Sequence, residues 1–134
     1  MTENEDKTRS YAIQKREYDF EAIVLNIRSV KGLQTSVVVD MSGEVIAENN
    51  PKGTDIESLT QAIFDVARLV NQSTKELGIG RFHTGEFDGP WGHIFLSILN
   101  DKMLITQCDA SAPGEDVLAR IDRIIESCSR ETDG

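Results

Sequence analysis

"KGLQTSVVVDMSGEVIAE", residues 31–48, sets a run of strand formers on each side of a short turn, Met41-Ser42-Gly43-Glu44. Leu33, Thr35, Val37 and Val39 alternate to one face of the first run, with Gln34, Ser36, Val38 and Asp40 on the other, and Val45, Ile46 and Ala47 make the second run. Two strands this close, with a glycine between them able to take positive φ, predict a β-hairpin. A phosphate-cradling loop would lead straight into a helix, preferably through Gly-Lys-Ser/Thr. Here another strand follows, so Gly43 is read as a turn residue.

Upstream of the hairpin, Ile13, Phe20, Ile23, Val24, Ile27 and Val30 return to one side of a wheel turning 100° per residue, which predicts an amphipathic helix starting near Tyr11. Gly32 takes the place of its left-handed C-terminal cap, and Lys31 complements the helix dipole. Residues 1–10 are polar and charged without apolar periodicity, and are expected to form a mobile tail ahead of one domain over residues 11–130. Downstream, "NNPKGTDIESL" is turn chemistry and a helix start, with Thr54 and Glu57 at capping-box spacing. The second helix is expected from about Asp55 to Glu76, ended by Gly78 and Gly80. Its apolar residues Ile56, Leu59, Ala62, Ile63, Val66, Ala67, Leu69 and Val70 cover about 160° of the wheel, wider than a surface helix needs. Phe64 falls outside that arc, where packing onto the helix's own sheet does not explain it.

The segments "RFHTGEFD", "HIFLSIL" and "MLITQC", separated by "DGPWG" and "NDKM", read as a three-strand antiparallel meander. The middle strand is apolar on both faces, Ile94, Leu96 and Ile98 on one and Phe95 and Leu99 on the other, which predicts an interior position. The strand before it carries Arg81, His83, Glu86 and Asp88, the composition of a sheet edge. A last helix opens with Pro113 and Glu115 and carries the stripe Val117, Leu118, Ile121, Ile124, Ile125 and Cys128. The predicted fold class is α+β: a five-stranded antiparallel sheet with helices on both faces, in the order α-β-β-α-β-β-β-α.

Size and charge narrow the function. A chain of 134 residues suits one core without disulfides or metal. A net charge of -9 disfavours nucleic acid and anionic membrane as partners, since either would repel most of the surface. No apolar run approaches a bilayer span and "MTENEDKTRS" holds no apolar signal region, so direct membrane insertion is not expected and a cytoplasmic address is. Cys108 and Cys128 are too few for a disulfide framework and too far apart for a zinc ribbon, and are read as reduced core thiols.

No catalytic constellation emerges. Along a strand His83 points away from Glu86 and Asp88, so no single face is read as a metal ligand set. His93 is read as a hydrogen-bonding surface residue rather than a base, Cys108 lacks the local cations that would activate a thiolate, and Asp40, Glu44 and Glu48 read as solvated acids beside a hairpin. The chain is therefore expected to be no enzyme and to need no cofactor. A small-ligand sensor is the weakest alternative, because no polar cluster sits in an apolar setting.

"VKG" at residues 30–32, "VVVDMSGEVIA" as first hairpin and "SAPGEDVLARIDRI" opening the last helix, in that order and spacing, resemble the roadblock family. That family includes dynein light-chain roadblock, Ragulator-type scaffold subunits and bacterial regulators of small Ras-like GTPases in gliding motility. Its architecture is related to longin and profilin folds, and the resemblance covers residues 13–128. It implies a homodimer, or a pair with another roadblock chain, in which second helices lie side by side and third strands join edge to edge. On this sequence that interface would include Thr60, Phe64, Asn71, Phe82, His83 and Thr84. The resemblance further implies a binding module for a small Ras-like GTPase, possible activation of that GTPase's hydrolysis included, with Gln61, Asp65, Arg68 and Gln72 on the partner-facing side of the second helix. The alternative it leaves open is a scaffold subunit that binds irrespective of nucleotide state.

Overall fold

The computed structural model describes residues 16–80, 83–90 and 92–132. The hairpin of the central stretch forms as the alternation predicts: strand β2 (Leu33–Asp40) returns as strand β3 (Val45–Asn49), with Gly43 at φ +89° in the turn. Asp40 shapes that turn, accepting from the backbone N–H of Ser42 at 2.9 Å, from its hydroxyl at 2.6 Å and from the Glu44 N–H at 3.0 Å. These bonds satisfy turn amides that neither strand can reach.

β2 then pairs on its other side with β6 (Lys102–Cys108), which pairs with β5 (Gly92–Leu99), which pairs with β4 (Thr84–Gly89), all antiparallel. The five-stranded order β3-β2-β6-β5-β4 leaves β4 at one edge and makes β5 interior, as its two apolar faces predict. Helices α1 (Phe20–Ile27) and α3 (Gly114–Ser127) cover one face, where Ile23, Val24, Ile27, Val117 and Ile121 pack with Val38, Phe95, Leu99, Leu104 and Cys108. Helix α2 (Ile56–Glu76) covers the other through Ile63 and Ala67, against Val37, Val39, Leu96, Met103 and Ile105. The α+β architecture with helices on both sheet faces is the one read from the sequence.

Four details correct that reading. The first helix starts only at Phe20, because Arg16–Tyr18 forms a short strand, β1, paired with a strand β7 (Ser129–Glu131) that the sequence reading lacks. Arg16 secures the pair by donating from Nε and Nη2 to Ser129 Oγ at 3.0 and 2.8 Å. The expected start at Tyr11 and Ile13 lies outside the described residues, as does the expected tail.

Second, α1 ends at Ile27, so Gly32 is no helix cap: its φ of +80° serves a close approach, in which an added Cβ would lie 2.7 Å from Asp109 Oδ1 and 3.3 Å from Ala112 Cβ. Third, a register shift between Leu33 and Thr35 turns Leu33 to the α1/α3 face, away from Val37 and Val39. Fourth, the N-cap of α2 is Asp55, which accepts from Ser58 N–H at 3.2 Å, rather than Thr54 in a capping box.

Candidate functional site

Helix α2 has the strongest claim to an interaction surface because it is the only described helix on its side of the sheet. Asp55 and Glu57 place negative charge at its positive end, and its last turn closes with Gly78 N–H on Lys75 C=O and Ile79 N–H on Thr74 C=O, a Schellman arrangement. Between these ends the wide apolar arc divides. Thr60, Ile63 and Ala67 are buried against the sheet, while Ala62, Val66 and Leu69, on one flank of the wheel, are exposed, Leu69 by 65%.

The four residues expected to face a partner, Gln61, Asp65, Arg68 and Gln72, all lie exposed on the outward side. Arg68, the one cation among the four, is paired there: Asp65 lies 3.8 Å from its guanidinium one turn away. Gln72 reaches Glu76 at 3.4 Å.

The expected interface residues are placed less uniformly. Thr60 is buried under its own helix, its hydroxyl without a partner among the described residues. Phe64 is half-buried beside the α2-side core, and its ring leans over the β2–β3 turn, 3.2 Å from where a Cβ on Gly43 would stand. Packing within the chain thus explains Phe64, contrary to the expectation that it cannot. Asn71, His83 and Thr84 are exposed, and Phe82 lies outside the described residues. His83 anchors the approach to β4 through its carbonyl, which accepts from Ile98 N–H at 2.7 Å. Among the described residues β4 pairs only with β5, so its outer edge keeps unpaired backbone groups.

On the opposite sheet face the structure assembles a group that the sequence reading dispersed. Gly89 pairs with Gly92, so the hairpin brings Asp88 directly across from His93, with Glu86 two residues away on the same face. The His93 ring bonds to Asp88 through Nδ1 and to the Ala112 carbonyl through Nε2 at 3.0 Å, and Glu86 Oε2 lies 3.8 Å from Nδ1. The hydrogen bond with Asp88 raises the His93 pKa and lowers that of Asp88, while its bond to Asp88 and its burial raise Glu86. His83 is not part of this group; its third member comes from β5, and the length of the turn is the signal that finds it.

Cys108 is fully buried, and burial pushes its thiol up to about 11, which suits a core residue and not a nucleophile. Cys128 is half-buried and caps α3. No described helix is long and apolar enough to cross a membrane.

No family model and no curated protein matches the sequence. The fold does match solved structures. A Roadblock/LC7 domain from Streptomyces avermitilis superposes with a TM-score of 0.69 at 11% identity, over 80% of this chain and 92% of that one. MglB from Myxococcus xanthus superposes at 0.70 with 17% identity, over 79% and 88%. The gliding protein MglB from Thermus thermophilus gives 0.61 at 20% identity, over 78% and 87%. The order of strands, the two-sided helix cover and these superpositions agree that this chain has the roadblock fold.

Proposed function

We propose that this chain is a self-associating, non-enzymatic binding module that engages a small Ras-like GTPase. The observation that carries the reading is the division of the α2 arc. A 21-residue helix that buries three residues on its sheet keeps Ala62, Val66 and Leu69 exposed on one flank, and β4 leaves the sheet an open edge among the described residues. Exposed apolar residues in a row and an unpaired edge are both relieved when a second copy packs helix to helix and strand to strand. The flank carrying Val66 and Leu69 takes the central place in that dimer, with His83 and Thr84 on the edge strand's side of it; Thr60, Phe64 and Asn71 lie on the other side of the helix and act through its placement.

The likeness to MglB, including an MglB described in a tetrameric arrangement, supports association, and the class of partner is the one the sequence resemblance implies. The outward residues Gln61, Asp65, Arg68 and Gln72 form the partner-facing strip. They supply contacts and no chemistry, so any acceleration of hydrolysis comes from holding the GTPase's own groups in line, where positioning and electrostatics dominate phosphoryl transfer.

The test is capture on the immobilised chain in parallel with excess GDP and a non-hydrolysable GTP analogue, with bound GTPases identified by mass spectrometry. Retention of a GTPase only with the analogue supports a switch regulator, because only differential affinity moves a two-state equilibrium. Equal retention in both assigns a scaffold subunit. Arg68→Glu is expected to weaken capture, and capture unchanged by it removes Arg68 from the strip.

A further inference from the structure

We propose that Glu86, Asp88 and His93 form a binding site for a divalent transition-metal cation. Each offers one donor atom, an imidazole nitrogen and two carboxylate oxygens, and the three atoms lie within 4.8 Å of one another. Ligands held at about 2.0–2.2 Å from one ion stand about 3–4.4 Å apart, so the set closes when the widest pair shortens by a few tenths of an ångström and the His93–Asp88 hydrogen bond opens to admit the ion. The donors come from paired strands, Asp88 and His93 directly opposite and Glu86 on the same face, so the backbone presents them together.

The second observation is the bond on the far side of the ring. A carbonyl only accepts, so the contact of His93 Nε2 with Ala112 C=O at 3.0 Å fixes the proton on Nε2. Nδ1, which donates to Asp88 and faces Glu86, then holds the ring's second proton, and it offers a lone pair to the same carboxylates once that proton leaves. This is the arrangement in which a ligating histidine is oriented by an outer carbonyl. The proton on Nδ1 is the positive charge set between ring and carboxylate, and a divalent cation takes its place. Among the described residues no lysine or arginine forms an ion pair with either carboxylate, and the carboxylate of Glu115 adds to the negative potential at Glu86. A dication neutralises this group more fully than one proton on the ring.

The donor set selects the cation class. Imidazole with carboxylates suits Zn²⁺, Mn²⁺, Co²⁺ or Ni²⁺, whereas Ca²⁺ and Mg²⁺ take all-oxygen shells. With Asp88 58% exposed and His93 18% exposed, water has room for the remaining coordination positions. Bound there, the cation ties the edge strand β4 to β5, whose His93 is already bonded to the loop that opens α3.

The experiment titrates the chelator-stripped full chain with ZnCl₂ by calorimetry and follows the melting temperature in parallel. The expected result is one Zn²⁺ per chain, a raised melting temperature, and no displacement by excess MgCl₂. Asp88→Asn and His93→Gln each weaken binding by about tenfold or more, while His83→Gln and Cys128→Ser leave it unchanged. Asp88 is surface-exposed, so its variant keeps the fold, checked by circular dichroism. Binding that survives Asp88→Asn and His93→Gln, that is lost with His83 or Cys128, that yields to Mg²⁺, or that is weaker than about 1 mM overturns the proposal.

Discussion

A side chain at Gly43 would meet two obstacles: a φ of +89° that L residues rarely adopt, and the ring of Phe64 at 3.2 Å from the new Cβ. Gly43→Ala is therefore expected to cost about 1–2 kcal/mol in urea unfolding. Phe64→Ala in the same chain should remove the contact part of that cost and leave the φ part, so the two substitutions are non-additive. Strict additivity would show that the ring does not press on the turn. Asp40, in the same turn, has its pKa lowered by the Ser42 hydroxyl first and the Glu44 amide next. A carboxylate with a folded pKa below its unfolded one stabilises the fold above the unfolded value of about 3.9, and loses that stabilisation as pH falls through the folded value. The gap in stability between the wild type and Asp40→Asn should be full at neutral pH and close in strong acid. A gap that stays constant down to the acid transition would mean that the charge of Asp40 is irrelevant to the turn.

Helix α2 is held to its sheet by few side chains, so each matters. Ile63 is buried between Val37, Val39 and their neighbours, and Ile63→Ala should cost about 2–5 kcal/mol, read as a fall in the urea midpoint at unchanged slope. Thr60 buries an unpartnered hydroxyl at the same face, and an unsatisfied buried donor costs about 1–3 kcal/mol. Thr60→Val keeps the shape and removes that cost, so it should stabilise the chain; destabilisation would reveal a partner for the hydroxyl.

The element scale also shows what the sequence could tell. Long periodic segments such as α2 and alternating ones such as β2 and β5 were legible because burial imposes their period. The β1–β7 pair was not, since Arg16–Tyr18 and Ser129–Glu131 are three residues each, lie 113 residues apart at Arg16 and Ser129, and have no alternation to read. Leu33 was assigned the wrong face because a bulge breaks the period that the assignment relies on. The Glu86–Asp88–His93 group was missed by reading one strand at a time. It follows from pairing Gly89 with Gly92 across a two-residue turn, which sets residues 88 and 93 face to face.

At the scale of the whole molecule, the proposed dimer must overcome like charge. Each chain carries a net charge of -9, so association brings two strongly acidic bodies together and long-range repulsion opposes it. The surface doing the joining is different in character, with exposed Val66 and Leu69 on the helix flank and backbone groups along β4. Salt screens repulsion between exposed charges over about 10 Å at 0.1 M and leaves apolar burial and strand pairing nearly untouched. Raising salt from low to moderate concentration should therefore tighten the dimer, seen as a rise in weight-average mass at fixed protein concentration in sedimentation equilibrium. Leu69→Glu, which adds charge where apolar area is to be buried, should shift the chain to monomer and make the residual association still more salt-dependent. Phe64→Glu should weaken association less directly, through the turn on which the ring rests. If added salt instead loosens the dimer, opposite charges hold it, and the joining surface has to be sought among pairs such as Asp65 and Arg68 reaching across to the other copy.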